Sequence, residues 1–316
     1  MSRPFFRYVH VFVVVSIAVA AFSSDARAQL LTQHIKGGVG LKAATHPPPG
    51  GYIVAPLLYV YSTDTVKDRN GDKFPIDAEI TSAFFGAGYS HVTTKKILGG
   101  NYGFTVIAPV GANNRLQGTE IDANPGAGLT DSAVTPISLG WHRKRADFLA
   151  AFSIFIPTGR YTDGADDNTG LGMWGYEPLV GTTVYLDSAR RYHAATELSF
   201  DFQSKKEDSE TKVGNQMNLE GGIGGDFLKG GLTTGLAYYA AFKLSDDDIP
   251  GLPPGIALPG KNNTFALGPE ATLAIAARNK VYGFVTVRYF WEVYARTAAQ
   301  GGAWLISATF LTKPMK

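Results

Sequence analysis

The hydrophobic pattern is plainest over residues 280–296, KVYGFVTVRYFWEVYAR. Valines and aromatic residues such as Trp291 share one parity there, whereas Arg288, Glu292 and Arg296 share the other. A helix would place charge on every face, but a strand sends successive side chains to opposite sides. Strands of soluble proteins average about 5 to 6 residues, and a tilted strand that crosses a bilayer needs roughly 9 to 11. The pattern therefore predicts a membrane-spanning β-strand.

The same design recurs from residue 52 to the end of the chain. About twelve segments of spanning length alternate in this way. They cover residues 52–63, 78–93, 96–110, 133–142, 146–157, 176–187, 191–204, 212–227, 232–243, 263–277, 281–296 and 302–312.

Short and long connections alternate between these predicted strands. Short turns, such as 94–95 and 143–145, follow the even-numbered strands, and segments rich in Asp, Asn, Gly and Pro, such as 111–132, follow most of the odd-numbered ones. Outer-membrane barrels have this asymmetry, with turns toward the periplasm and long loops outside. A soluble β-sandwich, the alternative, has shorter strands and no systematic difference between its two ends. The sequence thus predicts an all-β fold, a transmembrane antiparallel up-and-down β-barrel of about twelve strands.

The first 28 residues have the layout of a cleaved signal peptide. Arg3 and Arg7 precede an apolar run over residues 9–22, and Ala26-Arg27-Ala28 has the small-x-small form of a cleavage site. The alternative, a single membrane anchor, needs roughly 20 apolar residues, more than this run provides. We therefore expect an exported chain that enters the bacterial outer membrane as a closed barrel.

Three parts follow from this division: a signal peptide over residues 1–28, a periplasmic lead-in over 29–51 and a barrel over 52–316. The lead-in is polar and rich in glycine, and its three consecutive prolines, 47–49, suit neither a helix nor a central strand. It could fold into the mouth of the barrel.

Composition narrows the possible partners. A net charge of +2 with 18% charged residues does not indicate a nucleic-acid binder. The absence of cysteine excludes disulfides and thiolate metal sites. The expected partners are outer-membrane lipid and lipopolysaccharide, the barrel-assembly machinery and a small organic solute, without nucleic acid or cofactor.

The charged parity of the strands predicts a polar inner wall, because a charge facing hydrocarbon near the bilayer centre costs a few kcal/mol. The predicted lumen-lining residues are Glu177, Glu197, Asp201, Glu220, Asp226, Glu270, Arg288, Glu292 and Arg296. They could form a salt-bridge network that holds the barrel rigid, or a polar track that conducts a solute. The two roles are compatible.

A second candidate site is the long loop over residues 160–176. Its predicted gating residues are Tyr161, Asp163, Asp166, Asp167, Asn168 and Trp174. The acidic ones could gather a hard cation such as calcium, but their spacing matches no EF-hand and such clusters are usually turns. Trp174 fits an interfacial aromatic girdle, or alternatively a platform for a solute. The apolar loop 249–260 could fold over the mouth.

Enzymatic chemistry has little support in the sequence. His34, His46, His91, His142 and His193 are scattered without metal-ligand spacing, and no Gly-x-Ser-x-Gly element is present. We therefore predict no catalytic, cofactor-binding or metal-binding residues. A barrel lipid-modifying enzyme with a Ser/His pair remains an alternative, because such a pair has no fixed sequence spacing.

Two stretches resemble the MetA-pathway of phenol degradation family of outer-membrane proteins. Residues 47–74, PPPGGYIVAPLLYVYSTDTVKDRNGDKF, resemble its proline-rich lead-in, first strand and KDRNG loop. Residues 155–175 resemble its signature at Pro157, Thr158, Gly159, Tyr161, Asn168, Gly170 and Trp174. The resemblance implies an outer-membrane barrel that admits small hydrophobic or aromatic compounds by passive transport. The alternative is a structural or surface barrel without transport.

Overall fold

Twelve long antiparallel strands form the wall of the molecule. The computed structural model describes residues 32–75, 78–118, 121–123, 126–165, 167–250 and 261–315. The strands are β1 (Gly50–Thr63), β2 (Ala78–Ile97), β3 (Gly100–Gly118), β4 (Ser132–His142), β5 (Ala146–Ile156), β6 (Gly175–Tyr185), β7 (Tyr192–Gln203), β8 (Gln216–Phe227), β9 (Leu232–Lys243), β10 (Asn263–Ala277), β11 (Lys280–Arg296) and β12 (Gly302–Met315). The predicted signal peptide lies outside the described residues.

The sheet closes on itself. Each strand pairs with its neighbours in sequence, and β12 pairs with β1 from Ser62↔Gly302 to Tyr52↔Leu311. Closure leaves no open edge, as a membrane requires of a spanning sheet. The predicted up-and-down barrel of twelve strands is confirmed.

Burial alternates along the strands as the hydrophobic pattern predicted. On β7 the inward-facing His193, Glu197 and Asp201 are buried, whereas Phe202, of the opposite parity, is exposed on the outer surface. Large apolar side chains such as Ile223 are exposed on the outer wall of neighbouring strands. This outer face is the one that suits lipid.

The connections differ in length between the two ends of the barrel. The end with short connections, here called the turn end, has turns over residues 98–99, 143–145, 186–191, 228–231 and 278–279. The other, the loop end, carries the long connections, where Val66–Lys67 pairs with Ala298–Ala299, and Ile121–Ala123 and Gly128–Leu129 pair with β3. In the described part of the chain, no helix has the length and apolar character that crossing a bilayer demands.

The first turn differs from its prediction. The sequence placed it at residues 94–95, but β2 and β3 remain paired as far as Ile97↔Gly100. Leu98 and Gly99 make the turn, and both have the positive φ that a two-residue hairpin turn favours (49° and 80°).

Residues 32–49, here called the N-terminal segment, lie inside the barrel. The segment begins near the loop end, where Thr32 donates to Asp201, and leaves at the turn end, where Lys42 contacts Asp226. The sequence predicted a periplasmic lead-in over 29–51 that could enter the barrel mouth. Its described part instead runs along most of the length of the barrel interior, because the inner wall supplies acceptors for its backbone and its cations.

Candidate functional site: the barrel interior

Six buried carboxylates line one half of the interior. They are Glu177 on β6, Glu197 and Asp201 on β7, Glu220 on β8, Glu270 on β10 and Glu292 on β11. The register places Glu197 directly opposite Glu220 across the ladder between β7 and β8. Facing like charges are destabilising, so this half, here called the acidic wall, needs cations or other donors nearby.

His34 of the N-terminal segment supplies one of these cations. Its Nδ1 lies 2.5 Å from a carboxylate oxygen of Glu177, and its Nε2 lies 2.9 Å from one of Glu220. Burial by itself lowers the pKa of an imidazole, but the two negative charges hold the pKa of His34 well above its ordinary value. His34 is therefore an imidazolium that bridges β6 and β8 across the intervening strand.

The backbone of the segment also binds to the acidic wall. The N–H groups of Gly37 and Val39 donate to Glu220 at 2.7 Å and 3.1 Å, and the N–H of Leu41 donates to Glu270 at 3.1 Å. These bonds satisfy backbone donors in a segment that has no ladder of its own. The close fit requires glycine between the last two, since a Cβ on Gly40 would lie 1.8 Å from Glu270.

Three further ion pairs neutralise carboxylates of the interior. Arg288 Nε donates to Glu270 at 2.7 Å, and its Nη1 donates to the Gly38 carbonyl at 2.9 Å. Lys36 of the segment lies 3.9 Å from Glu292, and Lys42 lies 2.7 Å from Asp226. The predicted lumen residues Asp226 and Arg288 thus both lie on the inner side, in contact with the segment.

Glu292 also accepts hydrogen bonds from two tyrosine residues. The hydroxyls of Tyr61 and Tyr239 donate to its two oxygens at 2.8 Å and 2.9 Å. Tyr239 packs edge-on against Phe290, with ring centroids 5.0 Å apart, and this pair belongs to the buried cluster of the interior. Gly37 lies against the Phe290 ring, so the segment and the wall pack as one core.

His46 anchors the segment on the opposite strands. Its Nε2 lies 3.0 Å from the Ser138 hydroxyl of β4. Burial lowers the pKa of His46 to about 4, and the charge of His142 adds to the effect. The neutral ring packs over Gly103 and Gly140, at which a Cβ would collide with it.

One group of described residues has the donor types and the proximity that a metal ion needs. Ligand atoms of His34, Glu177 and Asp201 lie within 4.8 Å of one another. Both ring nitrogens of His34 already contact glutamates, and Thr32 donates to Asp201. The group is therefore accounted for as a salt bridge with its hydrogen bonds.

The other half of the interior carries apolar side chains between serine and threonine hydroxyls. Tyr59 shares the parity of the inward-facing Tyr61 and stacks on Phe84 across β1 and β2, with ring centroids 5.0 Å apart. On β5, Ala151 and Phe155 share the parity of Ser153, which pairs with Glu177 of the acidic wall. These side chains, here called the apolar wall, are half-buried, whereas the carboxylates beneath the N-terminal segment are almost fully covered. Sequence reasoning missed this wall because it looked for inward residues by charge.

The prediction that Arg296 lines the lumen is wrong. The register between β10 and β11 slips between Phe265↔Tyr294 and Ala266↔Glu292, so Val293 is an extra residue in β11. The bulge reverses the parity beyond it. Val293 and Tyr294 are consecutive exposed residues, and Arg296 is exposed rather than inside the barrel.

Residues 63–306 match the protein family described as "Putative MetA-pathway of phenol degradation". The chain belongs to this family. The match covers most of the barrel, from the end of β1 into β12. No curated protein matches the sequence.

A solved outer-membrane channel shares the fold of this family member. The COG4313 outer membrane channel from Pseudomonas putida F1 aligns with a TM-score of 0.69 and 15% identity, over 86% of this chain and 99% of that one. The toluene transporter TodX of P. putida gives a TM-score of 0.42 at 10% identity, over 84% of this chain and 91% of that one. At 15% identity the likeness to the first barrel concerns the fold alone, and the TM-score of the second is too low to support an argument. The family, the closed barrel and the first match together place the protein in the bacterial outer membrane.

The family signature after β5 builds a closed loop. Asp131 accepts hydrogen bonds from the N–H groups of Gly159 at 3.2 Å and Leu171 at 2.9 Å, which joins the two ends of the loop. The Asn168 side chain accepts from Thr162 N–H and donates to the Thr162 carbonyl. Sequence reasoning missed Asp131, because it lies 28 residues before Gly159, in the connection between β3 and β4, and no local pattern links it to the loop.

The predicted gating residues do not gather around one point. Asp163 accepts from the Tyr161 hydroxyl at 3.1 Å, and Asp167 pairs with Arg160 at 3.0 Å. Trp174 is exposed, and Asp166 lies outside the described residues, as does most of loop 249–260. The described acidic groups of this loop are thus tied to the loop itself, and they form no shared cation site.

Proposed function

We propose that this protein carries small apolar or aromatic organic compounds across the outer membrane by passive diffusion. The observation that supports the proposal most directly is the division of the interior. The N-terminal segment covers the acidic wall, and the half-buried side chains of the apolar wall, Tyr59, Phe84, Ala151 and Phe155, lie on the other side of the interior.

This division suits an apolar solute on physical grounds. A charged surface binds water, and an apolar solute gains little by displacing it, whereas aromatic and aliphatic surfaces favour such a solute by burial. The segment therefore does two things in the proposal. It neutralises the acidic wall, and it narrows the passage to the side that an aromatic compound prefers.

Two comparisons with known proteins also support this proposal. The description of the family refers to phenol degradation, and the P. putida barrel that shares the fold is described as an outer membrane channel. Entry from outside would pass the loop over residues 159–175, and the Lys206 ammonium lies 4.8 Å from the centre of the Tyr161 ring in that loop. This contact joins the loop to the connection between β7 and β8. We assign the loop the role of a gate.

The test compares uptake by cells with and without the gene. Radiolabelled phenol is the apolar probe and labelled succinate the polar one. We expect the gene to accelerate phenol uptake at low external concentration and to leave succinate uptake unchanged. Equal phenol uptake by both strains would contradict the proposal and favour a barrel without transport.

A matched pair of variants locates the path. Phe84→Glu places a charge on the apolar wall, and Phe84→Leu keeps that wall apolar. The first should slow phenol uptake, and the second should retain it. Heat-modifiable gel migration of both variants verifies that each barrel has folded, so that a loss of uptake reports the path.

A further inference from the structure

The turn end of the barrel carries a ring of unpaired cations. Lys96 lies at the end of β2, Arg145 in the turn after β4, Arg191 before β7, Lys229 after β8 and Arg278 after β10, so that every short turn contributes. All five side chains are exposed, and within the described residues none of them makes an ion pair. Asp187 is the acidic residue in these turns, and its carboxylate accepts the backbone N–H of Tyr192.

The loop end is different. Two of its cations are paired with acids of the same region, Arg160 with Asp167 and Lys205 with Glu210. Several of its connections are rich in acids, including residues 246–248. The near-zero net charge of the chain therefore conceals a separation of charge along the barrel axis.

Two of these turns also expose a leucine side chain. Leu98 is 86% exposed and Leu228 is 75% exposed, more than any other large apolar side chain of the described residues. Each is close in sequence to a lysine, Lys96 and Lys229 respectively. Apolar tips flanked by lysine and arginine are typical of surfaces that lie in a membrane interface, where the tip enters the acyl boundary and the cation stays with the headgroups.

Aromatic residues fix the depth of these turns. Trp141 Nε1 donates to the Leu98 carbonyl at 3.0 Å, and Tyr192 packs edge-on against Phe227, with both rings on the outer face. Aromatic girdles mark the interfacial level of outer-membrane barrels. The cation ring therefore lies at headgroup level in the leaflet that faces the periplasm, which consists of phospholipid.

We propose that this ring is a binding surface for anionic phospholipids, with phosphatidylglycerol as the representative headgroup. Five turns around the circumference present cations that have no partner within the protein, and phosphate groups complement them in charge and position. The bound lipids form an annulus around the turn end, and the exposed leucines pack among their upper acyl carbons. This surface is distinct from the interior, and its failure would leave the proposed transport untouched.

The test measures lipid retention. The purified full-length barrel is reconstituted in nanodiscs of equimolar phosphatidylglycerol and phosphatidylethanolamine, released into mild detergent and weighed by native mass spectrometry. The wild-type barrel should retain phosphatidylglycerol in preference to phosphatidylethanolamine. Equal retention of the two lipids would overturn the proposal. It would indicate that the ring binds an acidic partner of another kind.

Charge-matched variants assign the binding to the turns. The triple variant Lys96→Ser/Arg145→Ser/Lys229→Ser removes three of the five ring cations, and Lys73→Ser/Lys212→Ser/Lys261→Ser removes three exposed cations from the loop end. Retention of phosphatidylglycerol should fall in the first variant and stay at the wild-type level in the second. An equal fall in both, or no fall in the first, would overturn the assignment to the ring.

Discussion

His34 and Glu220 are 186 residues apart in the chain, and their side chains are 2.9 Å apart inside the barrel. The same imidazolium contacts Glu177, so one residue of the N-terminal segment joins two strands that do not pair with each other. The contact explains how a segment without secondary structure is held in place. We therefore expect the segment to loosen when this contact is lost.

Replacement of His34 by glutamine should loosen the segment. The variant loses the positive charge between Glu177 and Glu220, and breaking a buried ion pair costs about 3–5 kcal/mol. We expect residues 32–46 to become accessible to added trypsin, with cleavage after Lys36 or Lys42, while the barrel stays folded. His91→Gln, which lies on β2 away from the segment, is the control, and equal protection of His34→Gln and wild type would contradict this role.

The attachment of the segment should weaken in alkali. The folded pKa of His34 is above its unfolded value of about 6.5, so its contribution is complete below that pH and is lost as the pH rises through the folded pKa. The groups that face the ring are Glu177 on β6, Glu197 and Asp201 on β7, and Glu220 on β8, and all become harder to accommodate once the imidazolium is lost. The rate of trypsin cleavage at the segment, normalised to an unfolded peptide of the same sequence at each pH, should therefore rise with pH. A flat normalised profile in wild type, matching that of His34→Gln, would refute the prediction.

Arg288 and Glu270 should behave as a unit. Arg288→Met leaves Glu270 buried with the Leu41 N–H as its remaining donor, and the expected loss is about 3–5 kcal/mol of unfolding free energy. The double variant Arg288→Met/Glu270→Gln should recover much of this loss, because it leaves no unpaired charge. Urea unfolding in detergent micelles measures the effect, and Arg191→Met in an exposed turn is the matched control. A double variant less stable than the single one would show that the two residues act separately.

The bulge at Val293 predicts different reactivity for two nearby positions of β11. The chain has no cysteine, so single-cysteine variants can be labelled without background. Arg296→Cys should react rapidly with a membrane-impermeant maleimide on intact cells, and Glu292→Cys should react only after unfolding. Comparable labelling of the two positions would place them on the same face and remove the bulge from the explanation.

The sequence was sufficient for the barrel but not for its contents. Alternation and the two kinds of connection predicted the twelve strands, since a membrane imposes both features on any spanning sheet. Parity also placed Glu197 and Glu220 inside. It failed at Arg296, because an extra residue in a strand leaves no signature in an alternating pattern of this length.

The position of the N-terminal segment could not be read from periodicity, because its contacts come from strands spread over the whole chain. One signal was nevertheless available. Residues 32–49 contain His34, Lys36, Lys42 and His46 and no acidic residue, whereas the strands that contact them carry an excess of acids. Charge complementarity between the two would have predicted the docking, although not its register.

The seam between β1 and β12 has a consequence for how the molecule is made. The segment precedes β1 directly, and β12 follows every other strand of the barrel in sequence. β1 must therefore wait for β12, the barrel strand farthest from it in the chain, before it is paired on both sides. Insertion of the N-terminal segment and closure of the barrel are thus coupled events. A polypeptide truncated before β12 would keep the segment attached to a sheet that cannot close.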